Sequence, residues 1–198
     1  VCFDGRDFTP FRWIAGRRHF LQIIDNTAHI WCNLCMKTSR PKPSDSVVVR
    51  RANAADVAII VQMLWDDDEG RQRESISKNQ ASTYLSAFEQ IERDPNSQVL
   101  VATINNTVVG CLQLTVIPGL SYRGVNRALV EDVRVLKSHR GRGIGNQMLA
   151  FAEAKATELG CGLIELFVHD GRSDAHRFYE NAGYIGAHRG FRKHLESG

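Results

Sequence analysis

The sequence contains no apolar run near the roughly 20 residues that a membrane-spanning helix requires, and neither sign of charge is in strong excess. Its 25 Lys and Arg stand against 22 Asp and Glu, for a formal net charge of +3 at pH 7. Residues 1–45 hold the whole of that excess, which leaves residues 46–198 neutral. This distribution gives no argument for a membrane partner and only a faint one for nucleic acid, through the basic N-terminal segment.

The sequence also lacks the paired cysteines of a disulfide framework, because its cysteines are five in number. Cys111 and Cys161 lie in apolar, strand-like stretches, which favours buried free thiols in a reducing cytoplasm. Cys32 and Cys35 form half of a zinc pattern, but no second Cys/His pair follows at a suitable distance. The histidines also lack metal spacing, so we predict a cytoplasmic protein without a metal site.

The domain boundary is predicted from a proline-containing linker at residues 39–46. Residues 1–45 contain many aromatic side chains without a sustained period, and we interpret them as an N-terminal extension and linker of unknown role. Residues 46–198 then form one domain, long enough to bury a hydrophobic core.

Within this domain, apolar periodicity predicts alternating strands and helices. A strand at residues 47–51 is followed by a helix whose capping signal is Asn53 and Asp56. The acidic run at residues 66–70 ends that helix; it is either a solvated helix end or an acidic surface that attracts a cationic amine. The remaining predictions are a helix at 84–91, a hairpin over 98–117, a strand at 128–135, a helix from Ile144 to Leu159, a strand at 161–168 and a last strand at 191–195.

The most informative stretch is the strand at 128–135 with the turn Arg140-Gly141-Arg142-Gly143 and the helix that follows. A helix start offers backbone N–H groups without internal partners, and glycines allow a bulky anion to approach the main chain. The sequence therefore predicts a phosphate or pyrophosphate site. It is neither a Walker A loop, which needs Gly-Lys-Ser/Thr, nor a dinucleotide fingerprint, because Asn146 stands where the third glycine should be.

The spacing Arg/Gln-x-x-Gly-x-Gly/Ala is present as Arg140, Gly143 and Gly145, after a Val-x-Val strand. A second segment from Ala175 to Tyr184 fits Ala-x-x-Phe-Tyr-x-x-x-Gly-Phe/Tyr. In this order the two motifs resemble those of the GCN5-related N-acetyltransferases (the GNAT superfamily), in particular its bacterial members that act on small molecules. The resemblance implies an α/β fold with a central mixed β-sheet, antiparallel at its N-terminal strands and parallel at the cofactor site, flanked by helices.

The resemblance further implies transfer of an acetyl group from acetyl-CoA, as co-substrate, to a primary amine of a small molecule in a ternary complex. The alternatives are a non-catalytic, acyl-CoA-binding sensor module and, more weakly, a nucleic-acid binder; a homodimer is left open. The residues that the resemblance assigns to the cofactor are Val133, Arg134, Val135, Arg140, Gly141, Arg142, Gly143, Ile144, Gly145, Asn146, Arg172 and Ala175. Among these, Arg172 departs from the family pattern, in which asparagine is common.

Amine acetylation needs a base for the amine and an acid for the departing thiolate. Glu131 and Asp132 are the candidate bases, and because neighbours on a strand point to opposite faces, only one of them can face the acceptor. On a regular strand, Glu131 shares its face with Val133 and Val135. The family resemblance implies a carboxylate at this position, which makes Glu131 the first choice, while Asp132 stays open. Tyr179 matches the tyrosine that supplies the proton in the family. Tyr122, Arg123 and Arg127 precede the strand, where an acceptor could be held.

Overall fold

The computed structural model describes residues 46–66 and 68–195 of the chain. The predictions for residues 1–45, including the Cys32/Cys35 pair, lie outside the described residues. Within this part of the chain, no helix is both long and apolar enough to cross a membrane.

The domain is built on one five-stranded sheet in the order β1-β2-β3-β4-β5. Strands β1 to β4 are antiparallel to their neighbours, and β4 and β5 run parallel. The strands are β1 (Val48–Arg51), β2 (Ser97–Ile104), β3 (Thr107–Ile117), β4 (Asn126–Val135) and β5 (Cys161–Leu166). The predicted mixed sheet, with a parallel pair at its C-terminal side, is confirmed.

Helices cover both faces of the sheet. They are α1 (Val57–Trp65), α2 (Asp68–Arg73), α3 (Ala81–Arg93), the single turn α4 (Ser121–Gly124), α5 (Ile144–Glu158) and α6 (Ser173–Asn181). One buried cluster joins α5 to the sheet through Leu112, Leu114, Val130, Met148 and Leu149. A second joins α1 and α3 to the opposite face through Val61, Met63, Phe88, Val101 and Cys111. The sheet is therefore buried between two apolar layers.

The sequence signals for turns and helix ends correspond closely to the structure. The β2–β3 hairpin turns at Asn105 and Asn106, whose φ angles of 49° and 63° are tolerated best by asparagine among residues with a Cβ. Gly160 ends α5 in the left-handed conformation, with φ of 75°. These local signals are readable because each depends on the backbone preference of one or two residues.

Of two predictions for the ends of segments, the structure confirms one and contradicts the other. The acidic run ends α1 as predicted, since α1 stops at Trp65 and Asp66 is its C-cap residue. A further helix, α2, begins within the run at Asp68, and Asp66 forms an ion pair with Lys137 at 3.0 Å. The predicted strand at 191–195 is wrong: that segment forms no regular element, and Phe191 and Leu195 are 94% and 82% exposed. A short segment cannot form a strand without a neighbouring strand to pair with, and the sequence does not reveal whether one is available.

The start of α1 is fixed to β1 by the buried carboxylate of Asp56. Arg50 donates to both of its oxygens, at 2.7 and 2.9 Å, and the backbone N–H of Asn53 donates at 2.8 Å. The Asn53 side chain in turn accepts from the backbone N–H of Ala55, which completes the predicted capping box. The hydrogen bonds from Arg50 lower the pKa of Asp56, assisted by the Asn53 N–H, although burial opposes them.

We predict that Asp56→Asn lowers the free energy of unfolding by ~1.5–3 kcal/mol at pH 7, the usual contribution of hydrogen bonds to a charged group. Because the pKa of Asp56 is lower in the folded state, its contribution is present above the unfolded-state pKa of about 3.9 and is lost as the pH falls through the folded-state value. Urea unfolding at pH 7 and at a series of acidic pH values measures both effects.

Glu89→Gln is the matched control, because it removes one carboxylate from the exposed Glu89–Arg93 pair on α3. We expect it to cost only ~0.3–0.5 kcal/mol. Equal losses in the two variants, or an unchanged acid dependence in Asp56→Asn, would contradict the proposed anchoring of α1.

Candidate active site

Strand β4 contains one residue more than its partner β3 at the centre of the sheet. Glu131 is paired with Gln113 and Arg134 with Cys111, so that Asp132 and Val133 together face the single residue Leu112. Asp132 has a left-handed backbone, with φ of 52°. This is a β-bulge, which bends the strand and increases its twist.

The buried thiol of Cys111 on β3 contacts the backbone of the bulge. Its Sγ donates to the carbonyl oxygen of Asp132 across 3.7 Å. Burial raises the pKa of Cys111 to about 12; the positive charge of Arg134 lowers it and the negative charge of Asp132 adds to the rise, so the thiol keeps its proton. Cys111 is therefore a structural donor, as its apolar sequence context predicts.

The extra residue reverses which side chains share a face of β4. Ala128 and Val130 pack into the cluster beneath α5, and after the bulge Val133 and Val135 pack against the same cluster. Glu131 is paired with Gln113 on β3, and directly paired residues share a face, so Glu131 lies on the opposite side. The sequence argument that placed Glu131 on the side of Val133 and Val135 is wrong, because it counted every residue as one regular step.

The two parallel strands separate directly before the bulge. Pairing of β4 with β5 ends at Val130 and Leu166, although β4 continues to Val135. The N–H of Leu136 donates to Val109 on β3 at 2.9 Å. Because backbone groups alternate along a strand, those of Val133 and Val135 point away from β3 into the gap beside β5. In this gap Arg134 Nη1 donates to the carbonyl of Val133, and Arg140 Nε donates to that of Val135, both at 3.0 Å.

The glycine turn lies at the end of this gap and leads into α5. Gly141 and Gly143 have φ of 72° and 75°, and Gly143 is the N-cap residue. A Cβ at either glycine would meet no atom within 4 Å, so glycine is required there by the backbone conformation rather than by crowding. The first-turn N–H groups of residues 144–146 have no partner within the helix, and the helix dipole adds partial positive charge. With Arg140 and Arg142 adjacent, this geometry suits a diphosphate.

The third glycine of the motif has a different role. A Cβ on Gly145 would lie 2.9 Å from Cζ of Phe178, far inside normal contact. Gly145 therefore allows the Phe178 ring, and α6 with it, to lie directly on the first turn of α5. The next residue, Tyr179, packs against the same buried cluster as Val133 and Val135.

Tyr179 is half-buried on α6 and packs edge-on against Phe178 and Tyr184, at ring-centroid distances of 5.0 and 5.8 Å. Burial raises the pKa of Tyr179, while the positive charges of Arg134 and Arg172 oppose the rise. Tyr184 donates to Glu153 on α5 at 3.1 Å, which adds a polar contact between its segment and that helix. Tyr179 therefore keeps its proton near neutral pH and has cationic groups nearby to stabilise its anion.

The two candidate bases lie next to each other at the bulge and both remain exposed. Desolvation raises the pKa of Glu131, Asp132 adds to the rise, and the positive charge of Arg192 opposes it. A carboxylate whose pKa is raised toward neutrality is a better general base. The raised pKa therefore favours Glu131 as the general base, although the face of β4 on which it lies was predicted incorrectly.

The remaining predicted residues divide between the gap and other parts of the fold. Arg172 is the N-cap residue of α6, and its carbonyl accepts from the N–H groups of Ala175 and His176 at 3.0 and 3.1 Å. Arg127 instead forms an ion pair with Glu165 on β5 at 2.8 Å. Tyr122 and Arg123 both have left-handed backbones in α4. No sequence pattern signals the bulge or the place of Cys111 beneath it, although the apolar context of Cys111 predicts a buried thiol.

Comparison with known proteins matches this chain to a protein family and to relatives that include two N-acetyltransferases. The model of the acetyltransferase (GNAT) family matches residues 59–184. An aminoalkylphosphonate N-acetyltransferase of Salmonella typhimurium is 40% identical over 102 residues, in an alignment that takes in 52% of this chain and 66% of that protein. A probable glucosamine 6-phosphate N-acetyltransferase of Drosophila melanogaster is 25% identical over 176 residues, covering 83% of this chain and 79% of that protein.

Among solved structures, the crystal structure of a transcriptional regulator from Bacillus halodurans C-125 superimposes with a TM-score of 0.73. It is 41% identical, and the match covers 76% of this chain and all of that one.

We predict that Gly145→Ala lowers the free energy of unfolding by ~1–3 kcal/mol, because the new methyl group overpacks the contact with Phe178. Alanine is otherwise the better helix former by ~1 kcal/mol, so the sign of the change reports the clash. Urea unfolding measures the effect.

The control is the same substitution in a Phe178→Leu background, which gives a double-mutant cycle. With the ring removed, Gly145→Ala should become neutral or stabilising. An equal loss in both backgrounds would show that Gly145 is not required by Phe178.

Proposed function

The chain belongs to the acetyltransferase (GNAT) family, and from that premise we propose that it transfers the acetyl group of acetyl-CoA to the primary amine of a small molecule by direct attack within a ternary complex. The observation that carries the proposal is the gap between β4 and β5. It opens at the bulge beside Glu131, has the glycine turn at one end, and is bordered by Tyr179.

In this proposal the N–H groups of residues 141–146 bind the diphosphate of acetyl-CoA. The backbone of Val133 and Val135 pairs with the amides of its pantetheine arm, as an added strand would. Arg142, Arg172 and Ala175 are further candidate contacts with the cofactor. The thioester then lies beside the bulge, between the candidate base and the candidate acid.

The chemical step needs three proton transfers. Glu131 takes a proton from the ammonium group of the acceptor, whose ordinary pKa of about 10 keeps it charged near neutral pH. The neutral amine attacks the thioester carbonyl carbon and a C–N bond forms. The C–S bond breaks as the tetrahedral intermediate collapses, and the nitrogen gives up its second proton to the tyrosinate or to water, which leaves a neutral amide. Tyr179 gives its proton to the departing sulfur, and the cationic groups of Arg134 and Arg172 stabilise the tyrosinate that results.

We propose further that the acceptor combines a primary amine with a phosphonate or phosphate group. This combination is common to the compounds named for the Salmonella and Drosophila relatives. In this chain the positive charge of Arg192 reaches Glu131, so an anionic group on the acceptor would meet a cation near the base. The amine and the anion would then be held by groups of opposite charge.

A CoA-release assay with matched amines tests this acceptor class. We expect kcat/KM for 2-aminoethylphosphonate and glucosamine 6-phosphate to exceed that for propylamine and glucosamine by about tenfold or more, the effect of one charge-assisted hydrogen bond. Equal rates within each pair would contradict the anionic acceptor. CoA binding without release of thiol with any amine would instead favour the sensor alternative.

The catalytic assignment predicts a specific pattern among single variants. Glu131→Gln should lower kcat/KM by ~10²–10⁴-fold and remove the acid limb of its pH profile, because general base catalysis typically contributes that much. In the wild type this limb should lie above the ordinary glutamate pKa of about 4.3, since partial desolvation and the charge of Asp132 raise the pKa of Glu131. Tyr179→Phe should lower kcat to a similar extent while leaving the affinity for CoA unchanged.

Asp132→Asn is the matched control, because it changes the neighbouring carboxylate by the same substitution. It should leave most of the activity and shift the acid limb to lower pH, since one source of the raised Glu131 pKa is removed. Loss of activity in Asp132→Asn but not in Glu131→Gln would assign the base to Asp132.

A further inference from the structure

The carbonyl oxygens that β4 directs into the gap are both covered by arginine side chains. Arg134 Nη1 reaches the carbonyl of Val133, and Arg140 Nε reaches that of Val135. Any ligand whose amide N–H groups pair with this edge must compete with these guanidinium groups. The two contacts differ in exposure and in the sequence distance that each one spans.

The half-buried Arg134 side chain covers the carbonyl of Val133, the residue directly before it. Its positive charge is close enough to Tyr179 to lower the pKa of that phenol. Arg140 is exposed and lies five residues beyond Val135, on the far side of the 3-10 turn Lys137–His139. Its hydrogen bond therefore ties the start of the glycine turn back to the strand edge. An exposed contact of this kind exchanges readily with solvent or with a better partner.

The better partner is an anion at the glycine turn. Arg140 directly precedes Gly141, and the first turn of α5 beyond it presents N–H groups and partial positive charge. A guanidinium group binds a phosphate oxygen more strongly than it binds a neutral carbonyl. A diphosphate bound at the turn would thus draw Arg140 away from Val135 and free the carbonyl for the arm attached to that diphosphate.

We propose that Arg140 is a specificity-determining residue, whose side chain covers the Val135 carbonyl until a diphosphate displaces it. This inference rests on the proposed function, since it concerns the same site. The site then selects thioesters carried on CoA and discriminates against pantetheine thioesters without a diphosphate. A pantetheine thioester without a diphosphate must break the Arg140–Val135 hydrogen bond, and it supplies no anion to bind the guanidinium group.

The test is calorimetric titration of the full chain with CoA and with pantetheine, which lacks the diphosphate. Arg140→Met should raise the Kd for CoA by about tenfold, because one charge-assisted contact is lost. The same variant should lower the Kd for pantetheine by about threefold or more, because the carbonyl is now uncovered. The opposite signs distinguish a displaceable cover from a simple phosphate contact.

Arg93→Met is the charge-matched control, because Arg93 lies on α3, on the other face of the sheet, and pairs with Glu89 on the same helix. It should change neither Kd. Arg140→Ala repeats the test with a smaller side chain, and thermal unfolding checks that each variant is folded.

A fall in affinity for both ligands, or no change for pantetheine, would overturn the proposal for Arg140 while leaving the proposed function intact. Failure of the wild type to bind CoA would overturn the proposed function itself.

Discussion

The arrangement of the site depends on the one extra residue in β4. A strand in the middle of a sheet can bend away from one neighbour only if its pairing with the other is locally adjusted. The bulge at Asp132 provides that adjustment against β3, while pairing with β5 stops at Val130. Asp132 has a left-handed backbone, which costs free energy, and the buried thiol of Cys111 donates to its carbonyl. The gap therefore depends on a local strain that the surrounding core tolerates.

Partial desolvation raises the pKa of the candidate base and of the candidate acid, with different consequences for the two groups. It raises the pKa of Glu131, which brings a carboxylate closer to the pH at which it can accept a proton efficiently. It also raises the pKa of Tyr179, which keeps the phenol protonated and able to donate. Partial desolvation of each side chain thus prepares the two groups for opposite proton transfers.

The sequence predicts the strands of the sheet, the helices α1, α3 and α5 and the position of the glycine turn, because each has a local signature. The capping box of Asn53 and Asp56 and the left-handed Gly160 are examples. The bulge has no such signature, since an extra residue is visible only when two strands are aligned, and this is why the face of Glu131 was predicted incorrectly. The motif also could not show that Gly145 serves packing against Phe178, which requires knowing where α6 lies.

Local rather than net charge governs how this site would select ligands. Residues 46–198 are neutral by count, yet cationic side chains are concentrated around the gap. An excess of positive charge near a general base would ordinarily lower its pKa and weaken it. Here Arg134 and Arg172 act on Tyr179, whereas Arg192 is the arginine that opposes the raised pKa of Glu131. Because the cations are divided in this way, the site can attract anionic ligands and stabilise a tyrosinate while its carboxylate base retains a raised pKa.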